Sequence, residues 1–161
     1  MRIALGADHR GYEMYQHLCA VLREAGHEVL ETVENHNGEM CDYPDRAWPV
    51  ARAVATGQAD MGILICGTGI GMSIAANKVD GVRAALVHDE VSADLSRRHN
   101  DANVLCLPAD MLGGRVVDRI VNAWLNTPFE GGRHARRVAK VTAIENDIDP
   151  RTVTDEAAVG Q

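Results

Sequence analysis

Asp60–Cys66 reads Asp-Met-Gly-Ile-Leu-Ile-Cys and runs at once into Gly67-Thr68-Gly69-Ile70-Gly71. The apolar run is too short for a helix of ordinary length and lacks the alternation of a half-solvated strand. A continuous run of this kind suits a strand buried on both faces of a parallel sheet. Parallel neighbours need crossover connections, which are usually helices. The rest of the chain must therefore alternate strands and helices around this segment.

It does so. Arg2–Ala7, His27–Thr32, Val82–Val87 and Ala102–Leu107 read as further strands. Tyr12–Ala25 carries apolar residues at 15, 18, 19, 22 and 25, a helical period that Gly26 terminates. Arg46–Thr56, Ser73–Lys78 and Glu90–His99 read as helices, and Gly113–Leu125 carries one apolar stripe. A last helix starts after Gly131-Gly132 and reaches about Glu145. The polar stretch 33–45, with Gly38 and Pro44, reads as a long loop. This pattern predicts an α/β fold, a three-layer αβα sandwich with a five-stranded parallel sheet. It places one domain over 1–146 and a polar, fraying tail over 147–161. The length of 161 residues suits a single domain with a full core.

Sixteen Lys+Arg against 23 Asp+Glu leave a net charge of −7, which argues against a nucleic-acid partner. No apolar run approaches the ~20 residues of a membrane span. Cys19, Cys41, Cys66 and Cys106 show no CxxC spacing, and no HExxH pattern occurs, so neither a redox pair nor a metal site is indicated. The expectation is a reduced, cytoplasmic protein without membrane contact.

In open parallel sheets, ligands bind beyond the carboxyl ends of the strands. That rule singles out Asp8-His9, Cys66–Gly71, His88-Asp89 and the loop after Leu107. Glycines after a buried strand let backbone N–H groups approach an anionic ligand. A thiol at a helix N-terminus gains thiolate character, so Cys66 reads equally as a base or nucleophile and as a buried core cysteine. Met72 stands where the dinucleotide fingerprint needs a third glycine, and no Gly-Lys-Ser/Thr follows, so both nucleotide motifs fail. Asp8 suits a helix cap, and Asp8 with His9 also suits acid–base work. His99-Asn100, taken alone, reads as a helix C-terminus. Gly131-Gly132-Arg133-His134-Ala135-Arg136-Arg137 sets cations in a first turn, where the helix dipole opposes them. Arg133 and Arg137, spaced i,i+4, can reach one phosphate. A solvated face with Glu130, Glu145 or a neighbouring subunit as counter-charge is the alternative.

These segments together resemble the ribose-5-phosphate isomerase B family, which includes galactose-6-phosphate isomerase subunits. The resemblance rests on GADHRGYE (6–13), DYPD (42–45), GILICGTGIGMSIAANKVDGVRAAL (62–86), SRRHNDANVL (96–105) and EGGRHARRV (130–138). It implies a metal-free, cofactor-free aldose–ketose isomerase of a phosphorylated sugar. It further implies a homodimer whose active sites draw on both subunits, with pairing into tetramers left open. By this resemblance Cys66 is the base, and Thr68 with the amides of Gly67, Gly69 and Gly71 stabilises an enediolate. His99 assists ring opening. Asp8 and Tyr43 contact sugar hydroxyls, and Asn100 holds the substrate. His9, Arg133 and Arg137 hold the phosphate. D-ribose 5-phosphate is the expected substrate, with a tetrose 4-phosphate or hexose 6-phosphate as the alternative. Asp110 stands where relatives carry an arginine, so a phosphate contact there is missing or comes from Arg115. The loop 33–41 is distinctive too.

Overall fold

The computed structural model describes residues 1–32 and 37–154. Its sheet has five parallel strands: β1 (Arg2–Ala7), β2 (Glu28–Glu31), β3 (Met61–Cys66), β4 (Ala84–Leu86) and β5 (Val104–Pro108). They lie in the order β2-β1-β3-β5-β4. Helices α1 (Tyr12–Glu24), α2 (Tyr43–Ala55), α3 (Ile70–Ala76), α4 (Glu90–Asn100), α5 (Gly114–Asn126) and α6 (Arg133–Glu145) complete the fold. The expected α/β architecture is the one observed. No helix among the described residues is long and apolar enough to cross a membrane.

The sheet separates two apolar layers. Leu18 and Leu22 of α1, Ala93 of α4, and Val117, Ile120 and Trp124 of α5 cover Ile3, Leu5, Ile63, Ile65, Leu105 and Leu107. Val50 and Val54 of α2 and Met72 of α3 cover Ala4, Leu64, Val104 and Cys106. Alternate residues of β3 therefore serve opposite layers, which is why its sequence is apolar throughout. Each fully buried Leu or Ile contributes about 1.5–3 kcal/mol.

Several boundaries differ from the sequence reading, and three have a clear physical reason. The α2 helix starts at Tyr43, not Arg46, and so absorbs the end of the expected loop. Pro44 caused that difference: in a first turn its missing N–H costs nothing and its fixed φ favours the helix. The α3 helix starts at Ile70, directly after the glycines, rather than at Ser73. Only Ala84–Leu86 of the expected fourth strand pair in the sheet, because β4 is an edge strand with β5 alone as partner. Of the polar loop, residues 33–36 lie outside the described residues. In the tail, Pro150–Thr152 form a 3-10 turn capped by Asp149, so residues 147–154 hold more structure than expected. Residues 155–161 lie outside the described ones.

The topology positions the site. From β1 the chain crosses to β2 on one side; from β3 it crosses past β5 to β4 on the other. The carboxyl ends of β1 and β3 thus flank a topological switch point, where a crevice opens. Asp8 and Cys66 stand on its two sides.

Candidate active site

Residues Cys66–Gly71 form a tight connection from β3 into α3. Cys66 is 5% exposed, and its Sγ accepts a hydrogen bond from the Gly69 N–H at 3.1 Å. Cys106, in the same apolar layer, has no such donor among the described residues, and burial pushes its thiol pKa up. Gly69 has φ +72°, the left-handed region, and a Cβ there would lie 2.4 Å from Leu86 Cδ1. Only glycine permits the turn that aims its own N–H back at Cys66. Thr68 Oγ1 accepts from the Ile70 N–H at 3.4 Å. The Tyr43 ring lies against Gly71, where a Cβ would meet it at 2.8 Å.

The β1 end contributes Asp8 and His9. Asp8 Oδ1 accepts from the N–H groups of Arg10 (2.9 Å) and Gly11 (3.1 Å), and the Asp8 N–H donates to Ile65 O at 3.1 Å. The cap expected of Asp8 exists, and it leaves Oδ2 for other partners. His9 Nδ1 accepts from the Cys41 N–H at 3.5 Å, which favours the tautomer with its proton on Nε2. Asp8, His9, Tyr43, Cys66, Gly67, Thr68, Gly69 and Gly71 are thus one group at the carboxyl edge of the sheet.

Asp110 belongs to this group as well. Its N–H donates to Gly67 O at 3.0 Å, and its carboxylate pairs with Arg10 at 2.6 Å. No contact of Arg115 with this turn is among those observed, and the cation beside Asp110 is Arg10.

His99, Asn100, Arg133 and Arg137 lie elsewhere. The α4 helix starts after β4 and ends before β5, so in a parallel sheet it runs antiparallel to the strands. Its 11 residues carry the chain about 16 Å down. His99 and Asn100 therefore sit at the amino edge, opposite Cys66. Arg83, just before β4, marks that edge: its Nε donates to the carbonyls of Asn100 (3.0 Å) and Asp101 (2.9 Å). Asp101 closes α4 with φ +46° and pairs with Arg97 at 2.8 Å. Arg97 also donates to Ala102 O at 2.6 Å, and its guanidinium carbon stands 5.8 Å from the buried Trp124 ring. These contacts fix the end of the helix that carries His99.

Against that end packs α6. The His99 and His134 rings stack with centroids 4.2 Å apart and parallel planes. Glu130 faces both, with oxygens 4.0 Å from His99 Nε2 and 3.9 Å from His134 Nε2. Arg98 holds Glu130 at 2.8 Å and keeps its carboxyl below the usual range. His134 is 2% exposed; burial, then the neighbouring His99 and Arg133, holds its imidazole below its ordinary pKa. Among the described residues, His99, Glu130 and His134 bring three ligand-type atoms within 4.8 Å of one another. Glu130 is engaged by Arg98, and His134 Nε2 already accepts from Arg133 Nε at 3.3 Å. A cleft of about 650 Å³ opens beside them, lined by Asn77, Arg83, Asn100, Arg137, Val141 and Ile144. Its walls unite Asn100 with Arg137.

Sequence reasoning assigned no role to Arg10, Arg98 or Glu130 in the site, and gave His134 none of its own. Glu130-x-x-x-His134 spacing was the one local signal available.

The model of the Ribose/Galactose Isomerase family matches residues 3–141. The ribose-5-phosphate isomerase B of Escherichia coli is 49% identical over 144 residues, covering 89% of this chain and 96% of that protein. The D-erythrulose-4-phosphate isomerase of Pectobacterium atrosepticum is 40% identical over 146 residues, covering 91% and 96%. The solved ribose-5-phosphate isomerase B of Clostridium thermocellum superposes with a TM-score of 0.89 at 46% identity, covering 91% and 99%. A match over nearly the whole folded chain, with relatives close to half identical, places this chain in the ribose/galactose isomerase family.

Proposed function

We propose that this protein interconverts D-ribose 5-phosphate and D-ribulose 5-phosphate, with Cys66 as the base. The observation that carries the reading is the buried Cys66 Sγ, held by the Gly69 N–H at 3.1 Å beside the switch point. The thiolate takes the proton from C2 of the open-chain aldose and returns it to C1, while a proton passes between O1 and O2. The intermediate is a cis-enediolate. Its negative oxygens need fixed donors, and the amides of Gly67–Gly71 with the Thr68 hydroxyl are suited to that task. Asp8 and Tyr43 contact sugar hydroxyls, and His9 faces the phosphate from the same edge. Every step uses protein groups alone.

The remaining residues reach the site from a second copy. His99 assists ring opening, Asn100 holds the sugar, and Arg133 and Arg137 hold the phosphate, yet all four stand at the opposite edge of their own sheet. One chain therefore carries two half-sites, and a two-fold dimer closes two whole ones. Apolar side chains beside each half support this: Ile70 and Ile74 on α3 are 52% and 57% exposed, and Val141 and Ile144 on α6 are 46% and 61% exposed. Mixed dimers test the arrangement. Cys66→Ala and His99→Ala proteins, each inactive on furanose substrate, are unfolded and refolded together. Hybrids regain one whole site, so about one site in four recovers overall. No recovery would place both residues in one chain's own site.

Substrate choice is tested by kcat/KM on D-ribose 5-phosphate beside D-erythrulose 4-phosphate and D-allose 6-phosphate. The pentose is expected to lead. A tetrose or hexose ahead of it would keep the chemistry and change the substrate, and the 40% identity to a D-erythrulose-4-phosphate isomerase makes the tetrose the sharper rival.

A further inference from the structure

The Arg10–Asp110 pair spans three neighbouring strand ends. Arg10 follows β1, Cys66-Gly67 follows β3 and Asp110 follows β5, and these strands are adjacent in the sheet. The pair therefore bridges directly over Gly67. A Cβ on Gly67 would lie 2.5 Å from Asp110 Oδ2 and 2.8 Å from Arg10 Nε, so a side chain there would expel it. One carboxylate oxygen, Oδ2, accepts from Nε (2.7 Å) of Arg10 and lies 2.6 Å from its Nη2. That contact uses one edge of the guanidinium. Among the described residues, the Nη1 amino group donates to no protein atom. Asp110 is itself held, because its N–H donates to Gly67 O and that of Ala109 donates to Cys66 O at 2.8 Å. Arg10 side-chain exposure of 58% leaves the other edge open to a ligand.

A planar guanidinium fixed along one edge is pre-organised to donate along the other to a phosphate. We infer that Arg10 is a phosphate contact of this pocket, supplied by the same chain as Cys66, and that Asp110 is the positioning residue that holds it over the loop. The inference rests on the sugar-phosphate reading of that loop. It gives the Cys66 half of the site a permanent cation beside His9. It also gives the acidic residue at 110 a role: the positive charge at this mouth comes from the β1 turn, and the β5 turn orients it. Asp8, close to Arg10, is the competing anion, but its Oδ1 is taken by two backbone N–H groups.

The test uses the full-length protein and two readouts: steady-state kinetics on D-ribose 5-phosphate, and competition by inorganic phosphate. Arg10→Ala is expected to raise KM and the phosphate inhibition constant about tenfold or more, with kcat within about threefold. Arg10→Lys, which keeps the charge without the fork, should fall between. Asp110→Ala should raise KM in the wild-type background and add nothing in the Arg10→Ala background, the signature of action through Arg10. KM and phosphate inhibition unchanged within about twofold in Arg10→Ala would overturn the inference and leave the pair a structural strap. A loss of kcat alone would overturn it as well. If the wild-type chain turns over no sugar phosphate, the proposed function fails, and calorimetric binding of inorganic phosphate decides the inference by itself. Weaker binding in Arg10→Ala upholds it; equal or absent binding in both proteins ends it.

Discussion

The Cys66 half and the His99 half of the proposed site are built from different materials. The first is mostly backbone: a buried thiol, a left-handed glycine and a run of amides, drawn from six consecutive residues. The second is mostly charged side chains, with two stacked imidazoles, a carboxylate and several guanidiniums gathered from two separate segments. Backbone donors cannot retreat from a developing charge, which suits the reacting carbons. Long side chains adapt, which suits capture of the substrate's polar ends. Under the proposed function the first half carries the base and the second, which supplies Asn100, Arg133 and Arg137, is the main capture half, so variants of Cys66 and of Arg137 should fail differently.

The largest effect is expected at Cys66. Cys66→Ala should lower kcat by at least about 10³-fold, the scale of a lost general base, while competition by sugar phosphate for a binding probe persists. Near-normal turnover would move the base elsewhere. Gly69→Ala comes next. A side chain at φ +72° and 2.4 Å from Leu86 displaces the N–H that holds Cys66. Urea unfolding should show a loss of about 1–3 kcal/mol, with kcat reduced alongside. Unchanged stability would mean that the loop finds another path.

In the capture half, Arg137→Ala should raise KM about tenfold or more and alter kcat far less, because it removes a charge-assisted contact made to substrate and transition state alike. An equal fall in kcat would join the two halves functionally. The smallest effect concerns pH. Folding depresses the His134 pKa, so the unfolded chain binds a proton that the folded one refuses. His134 then contributes stability above its ordinary pKa of 6.5, and this is lost as pH falls toward the depressed folded value. Tm should decline on acidification from pH 7 to 5, and His134→Gln should flatten that slope. An unaltered slope would assign it to other groups, Glu130 among them.

Much of the first half was legible in one dimension. The β3 run, the glycines that follow it and Asp8 at the end of β1 are local signals with local causes: burial on both faces, backbone approach and capping. The start of α2 was missed because Pro44 reads as loop chemistry until its place in a first turn is known. The second half was legible as residues, not as a place. His99-Asn100 and the Gly131–Arg137 motif are conspicuous, yet no spacing says that both lie at the amino edge, away from Cys66. Arg10 and Asp110, 100 residues apart, were beyond any periodicity argument. Their meeting depends on β5 inserting between β3 and β4.

By itself, the sequence determined the strand–helix alternation, the glycine-framed thiol and the cation-rich entry to α6, because each follows from chemistry within a few residues. Tertiary structure decided which of these share an edge. Strand order and the antiparallel run of each crossover helix are properties of the whole sheet, so only the fold could bring Arg10 over Gly67 and set the Cys66 and His99 groups at opposite edges.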